Sequence, residues 1–189
     1  MSRLKGNIGL CLVCVFILTA CKQDCYQPMT SLMGVAFYNQ SNGSERTVAL
    51  TEVVGDGSDS VLYSSSAKQI FLPLKQLSDQ TDFLVTLRDS FFANPVMQID
   101  TTYSWVVDEN NDSTQVMTID TSTVIPPVQC RLSVQHNTVP QYISPECGCG
   151  VAHQLSSVVF GNDTLSCTVE IINSNITTSD GEIHIQIYW

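Results

Sequence analysis

Gly181-Glu182-Ile183-His184-Ile185-Gln186-Ile187-Tyr188-Trp189 alternates apolar and polar side chains from Glu182 to Tyr188. On an extended strand successive side chains leave opposite faces. Ile183, Ile185 and Ile187 then point one way, and His184, Gln186 and Tyr188 the other. The stretch reads as a β-strand with one face turned to a core. Working back from it, short alternating runs recur at 33–38, 47–54, 61–65, 69–74, 82–88, 97–107, 114–121, 128–135, 154–160 and 165–172. Turn residues separate them, most clearly Gly55-Asp56-Gly57 and Asp108-Glu109-Asn110-Asn111-Asp112. No 3.6-residue apolar period competes with this reading. Many short strands, each bounded by turns, predict an all-β fold: an antiparallel two-sheet sandwich, immunoglobulin-like or related. Removing the last strand is expected to leave the remainder insoluble.

The N-terminus is built differently. Arg3 and Lys5 precede an apolar run from Ile8 to Leu18, which leads into Leu18-Thr19-Ala20-Cys21 and then Lys22-Gln23-Asp24. The run is shorter than the roughly 20 residues a membrane-crossing helix needs. It has the proportions of a secretory signal. The tetrapeptide resembles the lipobox at which bacterial lipoprotein signal peptidases cut before an acylated cysteine. An ordinary signal peptidase wants a small residue where Leu18 stands. The expected organisation is a signal peptide at 1–20, a lipidated tether at 21–31 that begins with Cys21, and one β-sandwich domain at 32–189. Membrane, through the lipid on Cys21, is the first expected partner. The expected location is the cell envelope, as an outer-membrane lipoprotein of undetermined leaflet.

Charge narrows the function. Eighteen acidic residues face eight basic ones, for a net charge of −10, and cleavage before Cys21 removes Arg3 and Lys5 but no acid. Such a surface repels phosphate backbones, which are bound by Lys and Arg displacing counterions, so nucleic acid is not an expected partner. Catalysis finds no support either. The chain has no Gly-x-Ser-x-Gly elbow, no phosphate-cradling glycine loop and no His-Glu-x-x-His. No enzyme activity and no cofactor are expected.

Beyond Cys21 the mature chain keeps Cys25, Cys130, Cys147, Cys149 and Cys167, five thiols for an oxidising compartment. Cys130 shares a strand face with Val128, Leu132 and Val134, and Cys167 shares one with Leu165 and Val169. Both point to the core, as a bridge or as two buried thiols. Cys25 would then pair with Cys147 or Cys149. A rival use is metal: Cys147, Cys149 and His153, with His136 upstream, form a legitimate donor set for zinc or cuprous copper. Cys-x-Cys with one flanking His is nevertheless a loose signal, and no metal is expected.

Ile70-Phe71-Leu72-Pro73-Leu74, Ile143-Ser144-Pro145-Glu146-Cys147-Gly148 and the closing 181–188 strand, in that order after a lipobox, resemble a Bacteroidetes lipoprotein family of unknown function. The resemblance spans nearly all of the mature chain. It implies that Cys25 and Cys147 match the family's two recurring cysteines and pair, which leaves Cys149 as the free thiol. This chain departs from the family at Cys149, where an aromatic is expected, and in having Cys130 and Cys167. No activity comes with the resemblance.

Three surface features remain. Tyr103, Trp105 and Val107 share one strand face beside the 108–112 turn. Exposed, that face is an aromatic platform for a sugar or a protein; the ordinary place for such a tryptophan is the sandwich core. Asp108-x-Asn110-x-Asp112 opens like a calcium loop, but Ser113 and Ile119 stand where an EF-hand needs Gly and Glu. Ser60, Thr101, Ser113 and Thr164 each follow an aspartate and resemble O-glycosylation sites of envelope proteins. The expected function is non-catalytic: binding or scaffolding an envelope protein or glycan near the membrane. The alternative is a periplasmic thiol or metal-handling protein using Cys147, Cys149 and His153.

Overall fold

The computed structural model describes residues 31–189 except 108, 111, 146, 147, 164 and 178–180. Among them there are strands and turns and no α-helix. One sheet has four strands: β1 (Leu32–Tyr38), β4 (Gln69–Pro73), β10 (Thr168–Ile171) and β12 (Ile183–Tyr188), in the order β10-β12-β1-β4. A second has six: β2 (Ala49–Gly55), β3 (Val61–Tyr63), β5 (Gln80–Arg88), β8 (Val128–Ser144), β9 (Gly148–Gly161) and β11 (Asn175–Ile176), in the order β11-β9-β8-β5-β2-β3. The remaining two, β6 (Val96–Val107) and β7 (Ser113–Val124), pair only with each other.

Alternation drives the packing as the sequence predicts. Met33, Val35, Phe37, Leu72, Ile185 and Ile187 from the first sheet are buried in one cluster with Phe83, Val85, Leu87, Leu132, Val134 and Phe160 from the second. The fold is an all-β sandwich. Burying each such side chain contributes about 1.5–3 kcal/mol.

The pairing of β1 with β12 departs from the expected antiparallel arrangement. These two strands run parallel, Val35 beside Ile185 and Phe37 beside Ile187, with a register shift after Gly34. The sequence-distant ends of the fold thus meet at the centre of one sheet. Gly34 is required there, because a Cβ at this position would run into the Glu182 carbonyl oxygen. Its N–H donates to His184 Nδ1 at 3.0 Å, and burial holds the His184 imidazole below its ordinary pKa.

Trp189, beyond β12, closes one end of the sandwich. Its ring meets Phe37 and Phe92 edge-on at 5.6 and 5.7 Å, and Arg46 lies over it at 5.2 Å. Arg46 also donates to Asp89 at 2.5 Å and to the Trp189 carbonyl at 3.3 Å. The opposite end holds Ser31, whose hydroxyl donates to the Val151 carbonyl on β9. The β6–β7 hairpin leaves the sandwich from the Trp189 end, between Phe92 and Val128. The start of the described chain is therefore at one end and the hairpin at the other.

Candidate functional site

The hairpin is the one long element with no buried side chain: every residue of β6 is exposed, and every residue of β7 but the half-buried Val124. Its register is regular over twelve pairs, from Val96↔Val124 to Val107↔Ser113. Directly opposed residues share a face. One face carries Met97, Ile99, Tyr103, Trp105, Met117 and Ile119, with Val107 at the tip, among the uncharged polar Thr101, Ser113, Gln115, Thr121 and Thr123. The reverse face carries Gln98, Asp100, Thr102, Ser104, Thr118 and Asp120, and also the exposed Val96, Val106 and Val116. Trp105 is 68% exposed, Tyr103 63% and Met97 71%, which overturns the expectation of a core tryptophan. The platform named from sequence, Tyr103-Trp105-Val107, is open and larger than it suggested, because β7 adds Met117 and Ile119.

Electrostatics divide the same way. On the polar face Asp100 stands directly across from Asp120, a like-charge pair that costs a few tenths to about 1 kcal/mol in a sheet. Gln98 donates to both Asp100 oxygens at 3.3 Å and offsets part of that cost. No Lys or Arg occurs between Arg88 and Arg131. The apolar face itself carries no charge.

The other predicted sites are scattered. Cys21, Cys25, Cys147 and Thr164 lie outside the described residues. Cys149 is exposed on β9, while His153 on the same strand is buried. Four residues of extended strand separate them by about 13 Å, too far for one ion to hold both. The metal set of Cys147, Cys149 and His153 is therefore broken by the straightness of β9. His153 instead meets His136, with their Nδ1 atoms 3.2 Å apart, and His136 Nε2 lies 2.9 Å from Thr81 Oγ1. Burial first, and the neighbouring His136 second, lower the His153 pKa to about 4. Burial also lowers that of His136. Both rings are neutral at neutral pH and shut off from solvent, a structural pair rather than an acid–base device. An open depression of about 420 Å³ beside them is lined by Gln76, Leu77, Ser78, Asp79, Asn137 and Thr138.

Cys130 and Cys167 both pack in or against the core, as the strand pattern predicts, and of the two readings left open they stand as free thiols rather than as a bridge. Desolvation pushes the Cys130 thiol up to about 11 and the Cys167 thiol up to about 12. Ser60, Thr101 and Ser113 are exposed; Thr101 and Ser113 stand on the apolar side of the hairpin.

The fold and site define a β-sandwich that carries a protruding amphipathic hairpin. The chain belongs to the family of unknown function DUF6452, whose match covers residues 85–189. That span begins within β5 and takes in the whole hairpin. No curated protein and no solved structure matches the chain.

Proposed function

We propose that this chain is a lipid-anchored, non-catalytic protein of the cell envelope, held at the outer membrane through Cys21, that docks a partner on the apolar face of its β6–β7 hairpin. The observation that carries this reading is the uncovered face itself. An isolated two-stranded hairpin is marginal in water, and contiguous apolar surface of this size marks an interaction site on a folded protein. The anchor reading rests on the lipobox. Ser31 sits at the end of the sandwich away from the hairpin, so a lipid on Cys21 would tether the opposite end and leave the hairpin face clear of the anchor. A partner in the envelope space fits that placement better than the anchoring membrane does. Aliphatic Met97, Ile99, Met117 and Ile119 around the two aromatic rings favour a protein surface over a glycan, which stacks on rings but gains little from branched aliphatics.

The Cys25–Cys147 pairing belongs to the same proposal. Ser31 is tied to β9 three residues after Gly148, and only five residues separate it from Cys25 in the sequence, which supports that pairing. That bridge would leave three residues between Cys25 and the lipidated Cys21, a span of about 14 Å at full extension.

The test is a photo-crosslinking side chain at position 105 or, as a control, at 102 on the polar face, activated in intact cells. An adduct at 105 and none at 102 is expected. No adduct at either position would overturn the docking role. Intact mass of membrane-purified protein tests the rest: a diacylglycerol-sized increment on a chain beginning at Cys21 is expected, and an unmodified N-terminus would end the anchor reading. A glycan on Thr101 or Ser113 would stand on the docking face, so occupancy there would also overturn it.

A further inference from the structure

The apolar face of the hairpin is a palindrome. Its midpoint is the Thr102↔Thr118 pair. At equal distances on either side along β6 stand Ile99 and Trp105, then Met97 and Val107; Thr101 and Tyr103 flank the midpoint. Along β7, Met117 and Ile119 flank it, followed by Gln115 and Thr121, then Ser113 and Thr123. Apolar is matched with apolar and polar with polar at five of the six levels. This is the arrangement an isologous interface needs, in which residue i meets residue j and j meets i.

We infer that the occupant of the docking face is a second copy of this chain, its hairpin laid face to face and antiparallel on the first. The inference rests on the docking role proposed above and deepens it. A two-fold axis crossing the strands at the Thr102/Thr118 level, between the two faces, lays β6 on β6 and β7 on β7. Ile99 of one copy then meets Trp105 of the second, Met97 meets Val107, and Met117 meets Ile119. The polar Gln115–Thr121 and Ser113–Thr123 levels fall along the outer part of β7.

Charge complementarity selects this orientation. Asp100 and Asp120 point away from the interface on both copies. The acidic tip of each hairpin, with exposed Glu109, arrives beside the base of the other. There exposed Arg88, which donates to the Ile125 carbonyl at 3.5 Å, supplies the opposite charge. A parallel stack would instead bring the two acidic tips together. Area sets the strength. Twelve-residue strands give a face about 40 Å by 10 Å, roughly 800 Å² for the pair. Stable complexes bury about 1,200 Å² or more, so association through this smaller face is weak and depends on concentration.

Sedimentation of the full-length, detergent-solubilised protein from about 1 to about 300 µM reads this directly. A protein mass rising from one chain to two is expected. Trp105→Glu enters the symmetric interface twice and is expected to weaken association about 100-fold, with the thermal melt unchanged because Trp105 lies outside the core. Thr102→Glu on the polar face leaves association unchanged. Arg88→Glu and Glu109→Arg each weaken it several-fold, and together they restore it. One chain at every concentration, or association indifferent to Trp105→Glu, overturns the inference. If the position-105 crosslink then joins the chain to a different protein, the docking role stands and only self-association fails. If no crosslink forms at all, both fail.

Discussion

Two long hairpins grow from this molecule toward opposite ends, and one alternation rule produces both. In β8–β9, Cys130, Leu132, Val134, His136, His153, Leu155 and Phe160 are buried. In β6–β7, whose apolar face is just as regular, nothing is. The difference lies in neighbours. β8 is paired on both edges, by β5 and β9, and the four-stranded sheet covers its face. β6 and β7 have each other alone. Alternation therefore specifies that a face is apolar, and the surrounding topology decides whether the protein covers it or a partner does.

The sharpest way to break this comparison is to truncate one tryptophan in each region. Trp189→Ala removes a ring packed on Phe37, Phe92 and Phe160 and is expected to cost about 3–5 kcal/mol. Trp105→Ala is expected to cost under about 0.5 kcal/mol. Denaturant midpoints of the two variants decide; equal losses would mean the hairpin is part of the core.

Acid probes the buried hairpin next. The unfolded chain protonates its histidines near 6.5, whereas His153 resists until about 4 and His136 is lowered too. Between those values the unfolded state binds more protons, so stability falls with pH and levels off below about 4. His153 contributes roughly 3 kcal/mol of that loss. A melting temperature flat from pH 7 to 4.5 would contradict the burial of the pair.

Gly34→Ala tests the parallel junction that closes the sandwich. Its Cβ meets backbone that cannot yield cheaply, and a loss of about 1–3 kcal/mol is expected in the same denaturant titration. A neutral result would show that β1 and β12 can slide apart at no cost.

Thiol reactivity carries the smallest energetic effect. Cys149 is exposed and should alkylate within minutes at pH 8, while the half-buried Cys167 should react far more slowly and the buried Cys130 only on unfolding, both thiols having raised pKa values. If unfolded protein needs a reductant before those two react, they form the bridge the strand pattern suggested.

Much of the fold was legible because period-two alternation survives in most strands. The 183–188 strand was clear from its three isoleucines, and the Gly55-Asp56-Gly57 turn lies where expected. The outer half of the β8–β9 hairpin was not legible. Residues 136–144 contain Pro140, and 148–153 begin with Gly148 and Gly150, residues that read as loop. They are strand because pairing between two already extended partners outweighs local propensity. At the docking face, Tyr103, Trp105 and Val107 were visible as one stripe. Met117 and Ile119 joined them only when the register set Tyr103 opposite Met117.

The sequence by itself determined the β class, the sidedness of its strands and the acidic charge, since each depends on residue type and local spacing. Which apolar faces became core, that β1 and β12 run parallel, that His153 pairs with His136 rather than with Cys149, and that Trp105 stands in solvent were decided by tertiary structure alone. Each depends on what lies across a gap from residues far apart in the chain, and no local spacing records that.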